Sequence, residues 1–151
     1  MVNCIARVIA CLVLLGCAKE SVVVVEQSRE LVPFILEFEE VAKGYGKEIR
    51  VDKSVILETN WDGSGFVGFC YGNGLVKIKK EYWDLASYEE RYWLMFHELG
   101  HCYLKREHLN DLIDTGDYLC PISIMNAGVV NLYCIDYFIL NKTLFLDELF
   151  L

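Results

Sequence analysis

Between Ser87 and Leu104 the chain reads SYEERYWLMFHELGHCYL. Ser87 and Glu90 have the Ser-x-x-Glu form of a capping box, in which each side chain satisfies the other's exposed backbone N–H, so a helix is predicted to start there. Large apolar residues crowd every side of it, which predicts a helix buried nearly all round rather than one lying on a surface. Yet the same stretch carries His97-Glu98-Leu99-Gly100-His101, three polar side chains that a buried helix has no reason to hold unless they have partners. Residues four apart share a helix face, so the two imidazoles can reach one metal ion. Glu98 projects beside them, where it can take a proton from water at that metal. The chain has three histidines, His97, His101 and His108, all in this short interval. A chain organised around this helix is expected to be a metal-binding protein.

The N-terminus constrains where it works. Residues 1–16, MVNCIARVIACLVLLG, hold one charged side chain, Arg7, followed by an apolar run from Val8 to Leu15. That run is far shorter than the roughly 20 residues of a bilayer-spanning helix, and a positive start before a short apolar core describes a secretory signal. Leu14-Leu15-Gly16-Cys17 resembles the bacterial lipobox, which implies cleavage before Cys17 and lipidation of that cysteine. Residues 1–16 are then a lipoprotein signal peptide, 17–28 a lipidated tether in which Val22–Val25 can pair as a short strand, and 29–151 the folded domain. The resemblance places the protein on the bacterial envelope, at the outer membrane facing periplasm or surface, and its only membrane contact is the N-terminal lipid. Of seven cysteines, Cys4 and Cys11 leave with the signal and Cys17 is lipidated. Cys70, Cys102, Cys120 and Cys134 remain, able in an oxidising compartment to form two disulfides in any of three pairings. Cys102 adjoins His101 but points about 100° away round the helix, which favours a disulfide or a buried thiol over a ligand. With 22 acidic residues against 14 basic and a formal charge of -8, the chain lacks the basic surface that nucleic-acid binding needs.

The rest reads as an α+β domain. A helix is predicted after Ser28 as N-cap, with Pro33 in its first turn, apolar positions from Leu31 to Ala42, and Gly44 and Gly46 at its end. Strands are predicted at Val55–Leu57, Gly65–Tyr71 and Leu75–Lys79, the last two flanking the hairpin signal Gly72-Asn73-Gly74. Lys77, Lys79 and Lys80 read as the solvated face of an edge strand. The glycines of 62–65 read as a loop without a phosphate role, since no P-loop lysine follows. Residues 105–119 read as a polar stretch, 121–126 as a turn, and two short helices are expected near 129–140 and 143–150, the second capped by Thr143.

HELGHCYLKREH followed by Ser123-Ile124-Met125-Asn126 resembles the zincin metallopeptidases, more narrowly the metzincins, and more closely still a group of small bacterial metallopeptidase-like lipoproteins. The resemblance covers roughly residues 87–126. It implies a zincin-like fold, a small mixed sheet packed on an active-site helix with C-terminal helices. It implies one Zn²⁺ held by His97, His101 and His108, Glu98 as general base, and Met125 in a turn forming the floor beneath the metal. The implied activity is hydrolysis of peptide bonds in a protein or peptide substrate, endopeptidase-like, with the substrate added as a strand along a sheet edge such as Leu75–Lys79. The sequence departs from the metzincin spacing, which sets the third ligand ten positions after the first histidine and a Gly three positions before it. Those positions hold Glu107 and Leu104, so Glu107 stands as the second candidate for third ligand, with Asp111 and Asp114 behind it. The tyrosine that follows the Met-turn in some metzincins is replaced by Ala127, leaving Tyr133 as a substitute or as a buried aromatic. Two other readings compete: a non-catalytic zinc-binding envelope lipoprotein serving as an interaction module, and a gluzincin-like enzyme with Glu148 as third ligand.

Overall fold

The computed structural model describes residues 26–63, 65–128 and 130–151. The expected signal peptide, Cys17 and the possible strand at Val22–Val25 lie outside the described residues. The architecture is α+β: five α-helices, a three-stranded sheet and a two-stranded sheet among the described residues.

Helix α3 (Tyr88–Leu99) is the centre of the fold, and it starts where the sequence predicts. The Ser87 hydroxyl accepts from Glu90 N–H at 3.2 Å and the Glu90 carboxylate accepts from Ser87 N–H at 2.8 Å, so both halves of the capping box form. Every residue from Tyr92 to Leu99 is buried. Helix α1 (Val32–Gly44) crosses it with Phe38 against Phe96, ring centroids 5.2 Å apart, while Phe138 and Phe145 pack edge-on against Trp93 from the other side. Each such buried aromatic contributes about 1.5–3 kcal/mol by leaving water, and this shell holds α3 rigid.

The three-stranded sheet covers another flank of α3. β1 (Val55–Glu58), β2 (Gly68–Cys70) and β3 (Val76–Lys79) lie in the order β1-β3-β2, with β3 parallel to β1 and antiparallel to β2. Val55, Val76 and Ile78 face the core. The hairpin between β2 and β3 forms as expected, with Gly74 at φ +86° in its turn, a conformation that glycine adopts freely. The expectation that Leu75–Lys79 is an edge strand is overturned: β3 pairs on both sides and is central, and the outer strands are β1 and β2. Lys77 therefore projects from the sheet face, paired with Glu58 at 3.0 Å, while Lys79 pairs with Glu81 and Lys80 opens helix α2 (Lys80–Leu85).

Other boundaries shift for local reasons. Ser28 does not cap α1. Its hydroxyl accepts from Leu57 N–H at 2.9 Å, because Gln27 bridges Val55 in parallel and draws this segment to the sheet, and α1 begins after Leu31. The polar stretch after α3 contains β4 (Leu112–Asp114), which pairs antiparallel with β5 (Leu119–Pro121). Helix α4 (Ile135–Leu140) starts later than predicted, behind an Asn131 turn. Helix α5 (Lys142–Phe150) follows Asn141, so Thr143 lies inside it rather than capping it. The disulfides join Cys70 to Cys102 and Cys120 to Cys134, settling the pairing that spacing left open. No helix among the described residues is long and apolar enough to cross a membrane.

Because the capping box fixes where α3 begins, Ser87→Ala is expected to destabilise the protein by about 1 kcal/mol. Denaturant unfolding measures this, and an unchanged midpoint contradicts it.

Candidate metal centre

His97 and His101 emerge from one face of α3 and the turn that continues it, at the floor of a cleft of about 510 Å³. Their Nε2 atoms lie 3.0 Å apart, and the rings are 4.6 Å apart between centroids. The opposite nitrogen of each ring is engaged by backbone. His97 Nδ1 is 2.8 Å from the Ile124 carbonyl oxygen, and His101 Nδ1 is 2.6 Å from that of Arg106. A carbonyl only accepts, so each Nδ1 carries the proton and each Nε2 keeps its lone pair for a metal. Burial lowers the His97 pKa to about 4 and lowers that of His101 as well, against the opposing pull of those carbonyls. Both rings are therefore neutral at neutral pH, the protonation state a ligand requires.

His108 completes the group. Its ring lies 5.2 Å from His97 and 4.7 Å from His101, and one nitrogen from each of the three falls within 4.8 Å of the others. Tetrahedral ligation at about 2.0–2.1 Å asks for nitrogens about 3.3 Å apart, which the helix pair meets closely, while His108 stands exposed on the loop that follows. The three histidines can bind a metal ion. Glu107 lines the same cleft outside this group, and Asp111 and Asp114 are exposed on the β4 side, also outside it. Glu148 is turned to Arg106 and Ser123 and is not a ligand, while Tyr133 is exposed and stacks on Tyr118, neither a site residue nor a buried one.

The displaced third histidine has a structural cause. After Leu99 the helix widens into a π-helical turn, Gly100–Leu104. A π turn closes over five residues where an α turn closes over four, so it takes up one extra residue before the chain leaves the helix. The exit is made by Lys105 at φ +57°, the left-handed position for which Gly is the usual choice. An extra residue inside the turn brings His108, rather than Glu107, to the group.

Below the histidines lies Met125, fully buried. An added Cβ on Gly100 would come within 2.7 Å of its Sδ, so Gly100 is what allows the thioether to sit against the helix beside His101. Glu98 stands on the other side. It is 5% exposed, and burial raises its pKa to about 8, opposed in part by the Cys70 backbone N–H. Among the described residues no basic side chain is paired with it. Gly68 of β2 lies directly over the carboxylate, where a Cβ would fall 2.5 Å from Oε1. The Cys70–Cys102 disulfide ties that strand to the helix, so the carboxyl is held between two covalently linked elements.

No protein-family model, curated protein or solved structure matches the chain. What the centre does follows from its own residues. The three histidines singled out in the sequence are the ones the fold brings together. Sequence reasoning missed the carbonyls of Ile124 and Arg106, because backbone acceptors leave no mark in side-chain identity, and it missed Gly68, whose small size matters only once β2 is known to lie on Glu98.

Zinc titration of single variants is expected to separate the ligands. His97→Ala, His101→Ala and His108→Ala should each weaken binding by more than the about 10–100-fold typical of losing an outer hydrogen-bond partner. Glu107→Gln should bind as the unaltered protein does. Strong dependence on Glu107 with indifference to His108 would reverse the assignment.

Proposed function

We propose that the protein is a zinc-dependent endopeptidase of zincin type, acting on protein or peptide substrates and held to the bacterial envelope by lipid on Cys17. The observation that carries this reading is Glu98, an uncompensated carboxyl buried beside three histidines in an open cleft. Burying a carboxyl without a cation opposes folding, and a metal site with a purely structural role has no use for one. The two disulfides support an oxidising, exported setting.

Three imidazoles suit zinc, which when bound would supply Lewis-acid activation of water and of the scissile carbonyl. His97, His101 and His108 would hold it through nitrogen. Glu98 accepts the proton lost as water adds to the carbonyl carbon, then delivers it to the departing amine nitrogen as the C–N bond breaks. To act as base it must be ionised, a form that a bound dication beside it would favour, and the Cys70 N–H and Gly68 fix where it points. The substrate backbone adds along β2, the outer strand whose residues line the cleft. Phe66 and Phe69, both exposed there, meet the substrate's side chains.

Glu98→Gln is expected to lower peptide hydrolysis about 10²–10⁴-fold while leaving zinc content intact. Gly68→Ala displaces the carboxylate without touching a ligand and should cost about 100-fold in turnover at unchanged zinc content. A zinc-loaded protein that cleaves no peptide in an unbiased peptide mixture, or hydrolysis that survives Glu98→Gln, contradicts the proposal.

A further inference from the structure

Glu148 has another place in this centre. It sits on α5 between Leu149 and Phe150 on one side and Phe145 on the other, buried residues that anchor this helix in the core. Its two carboxylate oxygens are divided between two segments: one accepts from the Arg106 guanidinium, the other from the Ser123 hydroxyl. Each segment supplies the carbonyl that orients one metal-site imidazole. Arg106 itself provides the acceptor for His101 Nδ1, and Ile124, next to Ser123, provides the acceptor for His97 Nδ1.

The bracing extends further. Ser123 Oγ also accepts from Met125 N–H at 2.9 Å, so Ile124 is held between two residues fixed by one hydroxyl. Leu109 N–H donates to the Met125 carbonyl at 2.9 Å, which ties the residue after His108 to the same turn. Neither 105–109 nor 122–126 belongs to an α-helix or a strand, so no regular ladder holds these carbonyls. The orientation of a metal-ligating imidazole depends on the partner of its other nitrogen, and drift in that partner is felt at the metal.

We infer that Glu148 is the positioning residue of the metal centre, a single carboxylate that fixes both carbonyls on which His97 and His101 are aligned. It touches neither metal nor substrate. Its bonds to a guanidinium and a hydroxyl are charge-assisted and so stronger than neutral ones, and its half-buried setting limits screening by water. The residue that might have served as a third ligand instead acts through the other two. The inference concerns metal affinity, so it stands or falls apart from the peptidase reading.

The test is zinc affinity by chelator competition, together with the visible spectrum of the cobalt(II)-substituted protein. Glu148→Ala should weaken zinc binding about 10–100-fold, the usual effect of losing an outer partner, and should alter the cobalt ligand-field bands. Glu148→Asp, which keeps the charge, should recover part of the affinity. A purely structural ion pair would lower the melting temperature of the metal-free protein yet leave zinc affinity and cobalt bands of the folded protein unchanged, and that result overturns the inference. Should Glu148→Ala fail to fold, Arg106→Met and Ser123→Ala remove one arm each while keeping both carbonyls. Weakened zinc binding in both supports the inference, and unaltered binding in both overturns it.

Discussion

Two hydrogen bonds from imidazole Nδ1 to backbone carbonyls set the direction in which this protein's chemistry can face. Ile124 and Arg106 take the protons of His97 and His101, and the paired Nε2 lone pairs are thereby turned into the cleft. The carbonyls come from chain that returns to α3 only after it has left the helix. Everything that holds those returning segments therefore bears on the centre. The π-helical turn brings residues 105–108 back over the histidines, Met125 fills the space that Gly100 leaves, and α5 closes the arrangement through Glu148. A helix with the same four-residue histidine spacing but free side chains would offer two rotatable rings rather than half of a metal site.

The carboxyl beside them is fixed by different means. Glu98 is pinned by a strand whose Gly68 has no side chain, and that strand is bonded to the helix through Cys70 and Cys102. Histidines and carboxyl share α3 but are aimed by different neighbours, the returning segments for His97 and His101 and the sheet edge for Glu98. This separation predicts that ligand affinity and proton transfer can be altered independently, which a site built on one loop would not permit.

Much of this was legible in the sequence where a single residue or a short local pattern decides the structure. The capping box, the buried helix, the histidine spacing and the hairpin at Gly72-Asn73-Gly74 all depend on neighbours within a few residues. The α+β class follows from the same patterns. What escaped depends on contacts distant in sequence. Leu75–Lys79 alternates as an edge strand does, because its lysines face solvent from the sheet face; only pairing with β1 shows it to be central. Ser28 has the chemistry of a cap but is recruited by the sheet, and β4 and β5, three residues each, are too short to carry an alternating pattern. Tyr133 carries no such signal either, since its stacking on Tyr118 puts both rings in solvent. The offset from Glu107 to His108 carries no reason in the sequence, and the π-helical turn that precedes it is visible only in the structure.

X-ray absorption of the zinc-loaded protein tests the open three-histidine centre most directly. Three imidazole nitrogens and one further light atom at about 2.0–2.1 Å, with no sulfur, is the result expected of a site that leaves one position to solvent. A sulfur shell at about 2.3 Å, or four imidazole or carboxylate ligands from the protein, would contradict it.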